Sequence, residues 1–118
     1  MPVPIGELKA SLEAIAVAIV SDDGRMLHSV LPSGVSAESF AVMSATIVGA
    51  AATVSSDLKQ TPPDHIVIRG TDFTTILARL DSASLLVTVV GATSDADRLL
   101  HDIDEFILTH RPAPHASG

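Results

Sequence analysis

The sequence predicts an α+β domain: a single five-stranded antiparallel sheet with a long central helix on one face and terminal helices on the other. Three observations predict it. Apolar residues recur at helical spacing, then in two strand-length runs, then along a long segment, then in three closely spaced runs, and last at helical spacing again. The links between the strand-length runs are short and rich in Gly, Asp and Ser, which favours antiparallel neighbours. Residues 39–56, SFAVMSATIVGAAATVSS, carry no charged side chain in a chain of net charge -7, and a helix without a charged face is buried on more than one side.

The first helix follows a proline-punctuated start. Ile5, Leu8, Leu12 and Ile15 recur at helical spacing, so a helix is expected that ends by about Ala14. Residues 15–20 are an unbroken run of Ile, Val and Ala, as a central strand covered on both faces requires. Asp22, Asp23 and Gly24 then form a hairpin turn, because Asp-Gly readily supplies a positive φ. Residues 25–31 return as a strand that Pro32, Ser33 and Gly34 terminate.

Ser36 is expected to cap the long helix, with Glu38 in its first turn, and Thr61, Pro62 and Pro63 stop it beyond Lys59. At about 1.5 Å per residue the uncharged run spans roughly 27 Å, close to a hydrocarbon core. Its Ser, Thr and Ala content and its lack of flanking Lys or Arg favour a helix packed on both sides within a soluble protein. Phe40, Met43, Ile47, Ala51, Val54 and Leu58 form a bulky stripe suited to a sheet. Ala41, Ala45, Gly49, Ala52 and Ser56 form a face of small residues that admits a second helix, here from another copy.

Residues 65–69, 73–80 and 84–90 read as a three-stranded meander. Ser94 is the expected cap of the last helix, with Asp95 and Asp97 in its first turn and Leu99, Leu100, Ile103, Phe106 and Ile107 as its apolar stripe. Residues 1–111 are read as one domain and 112–118 as a disordered tail.

Composition narrows the function. Fourteen acids against seven bases, with three Phe and no Tyr or Trp, repel phosphate backbones and leave little to stack on bases, so nucleic acid is not expected as a partner. The absence of cysteine excludes disulfides, thiolate zinc sites and cysteine nucleophiles. The start MPVPIGELK lacks a basic segment before an apolar one, so no signal peptide, no membrane insertion and a cytoplasmic location are expected. Neither GxxxxGK[ST] nor GxGxxG is present, so the chain lacks both standard nucleotide cradles.

No catalytic set, cofactor or metal is expected. The five histidines are scattered; His101 and Glu105 stand at chelating spacing, but a solvated helix face accounts for them. His28 alternates with apolar neighbours and reads as a partly buried strand histidine. Asp22 and Asp23 lack the further oxygen ligands of a calcium loop, and Ser21 and Ser29 lack a triad around them. Asp102 and Glu105, with Leu108 on the side of the helix opposite its apolar stripe, form a candidate partner surface.

The segments AIVSDDGRMLHS, LPSGVSAESFAVMSATIVGAA, HIVIRG, TTILARL and SLLVTVV, in this order, resemble the roadblock family. That family is named for dynein light chains of roadblock type and includes bacterial and archaeal regulators of Ras-like GTPases. The resemblance covers residues 6–109 and extends in architecture to profilin-like domains. It implies a homodimer or heterodimer in which long helices pack together and sheets join edge to edge through residues 65–69, serving as a scaffold or as a platform for a small GTPase. The expected interface residues are Ala41, Ala45, Val48, Gly49, Ala52 and Ser56 on the helix and His65, Val67 and Arg69 on the strand. The reading is a non-enzymatic dimeric regulator that binds a small Ras-like GTPase. The alternative is a small-ligand sensory domain, for which Thr75, Thr88 and His28 are the polar candidates on the strands.

Overall fold

The computed structural model describes residues 4–110, so the expected tail lies outside them. The elements run α1 (Ile5–Leu12), β1 (Ala16–Ser21), β2 (Met26–Val30), α2 (Ala37–Asp57), β3 (His65–Arg69), β4 (Phe73–Arg79), β5 (Ser84–Gly91) and α3 (Ala96–His110). The five strands form one sheet in the order β2-β1-β5-β4-β3, with every neighbouring pair antiparallel. The expected order and fold class are those observed.

β5 lies at the centre, flanked by β1 and β4, and β1 is buried along its whole length, as its unbroken apolar run requires. The β1–β2 hairpin turns through Asp22, Asp23 and Gly24, with Gly24 at φ +87° and its N–H donating to the Ser21 carbonyl. A register shift at Ile19 and Val20 bulges this pair. The Arg79 guanidinium reaches back to Asp22 at 2.6 Å and ties β4 to the same turn.

The two sheet faces have separate cores. On one, α1 and α3 cover Val17, Ile76, Leu86 and Val90 with Leu8, Leu12, Leu99 and Ile103. On the other, α2 covers Ala18, Val20, Leu77 and Val87 through Ala41, flanked by Phe40, Ile47 and Val48. Each large apolar side chain so buried contributes about 1.5–3 kcal/mol.

Element ends differ from expectation by a residue or two, with local causes. α1 and α2 both close in a Schellman arrangement around a left-handed residue, Glu13 (φ 52°) and Lys59 (φ 59°). The Ala14 N–H donates to the Lys9 carbonyl, and the Gln60 N–H to the Ser55 carbonyl. Ser36 caps α2 as expected, its hydroxyl accepting from the Ser39 N–H at 3.2 Å. The cap of α3 is Asp95 rather than Ser94: its carboxylate accepts from the Asp97 and Arg98 N–H groups. His28 is exposed, not partly buried, because it lies on the edge strand β2.

Candidate functional site

The long helix turns neither expected stripe wholly inward. Ala41 is 0% exposed and Ser44 is buried against the sheet, with Phe40, Ala45, Ile47, Val48, Ala51, Ala52 and Ser55 half-buried around them. Ala41 therefore cannot offer a surface to a second helix; its smallness lets α2 approach Ala18 and Val20 of its own sheet. Gly24 makes a similar approach from the hairpin, where an added Cβ would lie 3.4 Å from the Val42 Cα. The bulky stripe is split as well: Met43 and Val54 are 55% and 59% exposed, and Leu58 is also exposed.

What α2 presents outward is Val42, Met43, Thr46, Gly49, Ala50, Thr53 and Val54, a face without charge between Glu38 and Asp57. Thr46 and Thr53 turn their hydroxyls inward along the helix, donating to the Val42 and Gly49 carbonyls at 2.8 and 3.0 Å. With both hydroxyls bonded to the helix's own carbonyls, the two threonines add less polarity to this face than its composition suggests. Gly49 is exposed with no neighbour within 4 Å of an added Cβ, and Ser56, about two turns further along the helix, is exposed as well. The helix is long and apolar enough to cross a membrane by length and composition, yet one face of it is seated on the sheet.

The sheet has two edges, and they differ. β2 pairs through a bulge, which twists an edge away from further pairing. β3 pairs with β4 in unbroken register from His65 opposite Ala78 to Arg69 opposite Thr74, leaving its other side open. Val67 packs toward the α1–α3 core and Ile66 toward α2, so His65, Val67 and Arg69 share the α1–α3 face by strand alternation. On that face His65 Nε2 lies 2.6 Å from Asp104 Oδ1 of α3. Ile68 and Phe73, on the α2 face, are large apolar side chains left exposed. Neither these two nor the outer helix residues Val42, Met43 and Val54 were expected at a surface.

The three residues of the expected α3 surface divide. Asp102 and Glu105 rim a cleft of about 490 Å³ between α1 and α3, whereas Leu108, 74% exposed, borders a different cavity of about 300 Å³ with Asp64, His65 and Asp104. His101 Nε2 lies 3.3 Å from Glu105 Oε1, and the Asp102 carboxylate comes within 4.8 Å of both, so these groups could share a cation. All three stand on a solvated face, and Arg98 approaches Asp102 at 3.9 Å.

In the β1–β2 turn the Ser21 hydroxyl donates to Asp23, and the Arg25 Nε does so at 3.2 Å. These bonds hold the Asp23 carboxyl below its usual value.

Comparison with known proteins agrees with this architecture. A family model for the Roadblock/LC7 domain matches residues 5–90. Among curated proteins, none matches the chain in sequence. Among solved structures, Myxococcus xanthus MglB superposes with a TM-score of 0.81 at 16% identity, covering 86% of this chain and 83% of that one. A Roadblock/LC7 domain from Streptomyces avermitilis gives 0.77 at 15% identity over 84% and 83% of the two chains. An MglB with a tetrameric arrangement gives 0.79 at 15% identity over 88% and 79%. With its sheet order, its helices and the matched span all in agreement, the chain belongs to the Roadblock/LC7 domain family.

Proposed function

We propose that this protein is a non-enzymatic regulator or scaffold that pairs with a second copy of itself and, as a pair, binds a small Ras-like GTPase in the cytoplasm, modulating its nucleotide cycle or its location. The observation that carries the reading is the outer face of α2, a long, uncharged, apolar helix surface, in a subunit whose β3 edge is also open. Apolar patches of this kind mark interaction sites. Gly49 and the inward-turned Thr46 and Thr53 hydroxyls leave room for a close helix–helix approach there. Of the residues expected at the interface, Gly49 and Ser56 on α2 and His65, Val67 and Arg69 on β3 remain candidates, with Ala45, Val48 and Ala52 half-buried at its margin.

The family resemblance supplies the GTPase, and the structural neighbours named MglB are in keeping with a regulatory role. The test is direct binding of the purified protein to each small Ras-like GTPase of its own cell, loaded with GDP or a non-hydrolysable GTP analogue. Micromolar or tighter binding to one of them, weakened by Met43→Glu or Val54→Glu, is expected. No affinity for any of them in either state contradicts the reading.

A further inference from the structure

The open edge of β3 fixes how a second copy would dock. The Gly70 N–H donates to the Phe73 carbonyl, and the Arg79 N–H to the Asp64 carbonyl. Residues 64 and 70 therefore direct their backbone groups toward β4. By the alternation of an antiparallel ladder so do Ile66 and Ile68, while His65, Val67 and Arg69 direct theirs outward. Those three are the groups available to a new strand.

For two copies of β3 related by a two-fold axis, one register uses all of them. With the axis at Val67, His65 faces Arg69 of the second copy, Val67 faces Val67, and each pair exchanges both of its backbone bonds. A shift of one residue sets outward groups against inward ones. A shift of two replaces one partner by Pro63, which has no N–H, or by Thr71, which lies beyond the strand. On the α2 face the same register brings Ile66 opposite Ile68 of the second copy, covering an apolar side chain that the single subunit leaves exposed.

On the opposite face the register has an electrostatic consequence. Arg69 is exposed and makes no ion pair among the described residues. Opposite it stands His65, whose Nε2 is already bonded to the half-exposed Asp104. Asp64 adds negative charge to the adjoining cavity, and Arg79, which also lines it, is engaged by Asp22. Directly opposed residues in such a pair have Cα atoms about 5.5 Å apart, within the reach of an arginine.

We infer that, in the self-pairing proposed above, the β3 register centred on Val67 brings Arg69 of the second copy to Asp104, which His65 holds in place, in two symmetric ion pairs. The inference rests on the self-pairing proposed above and adds its register and its charged contact.

The test is sedimentation equilibrium on the full chain over a dilution series, for wild type, Arg69→Glu, Asp104→Arg and the double exchange Arg69→Asp/Asp104→Arg. Far-UV circular dichroism checks folding. Each single reversal should weaken the dimer by about tenfold or more, since like charges then meet twice, and the double exchange should restore it. Arg69→Ala, at an exposed position, should weaken it less than Arg69→Glu and needs no change on α3. A wild-type dimer indifferent to Arg69→Glu and Arg69→Ala overturns the ion pair while leaving self-pairing intact, and so does a double exchange that fails to recover affinity. A wild type that is monomeric at every concentration overturns the proposed self-pairing itself.

Discussion

At the scale of single residues, buried polarity and turn electrostatics make opposite demands. The Thr88 hydroxyl lies in the α1–α3 core at 0% exposure and is the buried side-chain polar atom without a hydrogen-bond partner among the described residues. Thr88→Val removes the unpaired group at nearly constant shape and should raise stability by about 1 kcal/mol in urea unfolding. This burial was not legible in the sequence, where Thr88 looked like a candidate for reading a ligand. Asp23, by contrast, is a turn residue in both the sequence and the structure. Its carboxyl is held low first by the Ser21 hydroxyl and then by Arg25. Because the folded value lies below the unfolded one, its contribution to stability is present above the ordinary carboxylate range and disappears as pH falls through the folded value. An NMR titration should find Asp23 ionising below 3.8, and in Ser21→Ala the midpoint should move back up.

At the scale of elements, what was legible is what local chemistry determines. The Ser36 cap, the Asp-Gly hairpin and the meander are signalled by residues adjacent in sequence, and all formed as expected. The orientation of α2 was not legible. Without a charge between Glu38 and Asp57 nothing in the helix marks an outside, and both apolar stripes fit the period. The choice falls to the sheet, where Ala18 clusters with Ala41, and to the hairpin, where Gly24 lies close against Val42 and Ala45. Two substitutions separate the faces. Ala41→Leu should destabilise the subunit by about 1–3 kcal/mol through overpacking. Gly49→Leu meets no neighbour within the subunit, should leave it as stable or raise it by up to about 1 kcal/mol through helix propensity, and should weaken self-pairing. The helix ends supply a further test. Lys59 and Glu13 hold left-handed conformations that glycine adopts without strain, so Lys59→Gly and Glu13→Gly should each stabilise by about 0.5–1 kcal/mol in thermal unfolding.

At the scale of the whole molecule, the fold was legible because eight elements in a fixed order leave few antiparallel arrangements, and the observed sheet keeps β1, β5 and β4 inside. The surface was legible only in part. His65 and Asp104 are 39 residues apart and meet because α3 crosses the α1–α3 face beside the edge strand, a proximity that no local pattern signals. Among the described residues the outer face of α2 and the open side of β3 are left without a partner, and self-pairing would satisfy both. The most direct test is the solution mass of the purified protein by light scattering across a dilution series. The account predicts a species of twice the 12.2 kDa chain mass that persists into the micromolar range and dissociates more readily in Gly49→Leu. A well-folded monomer of 12.2 kDa at every concentration would contradict it.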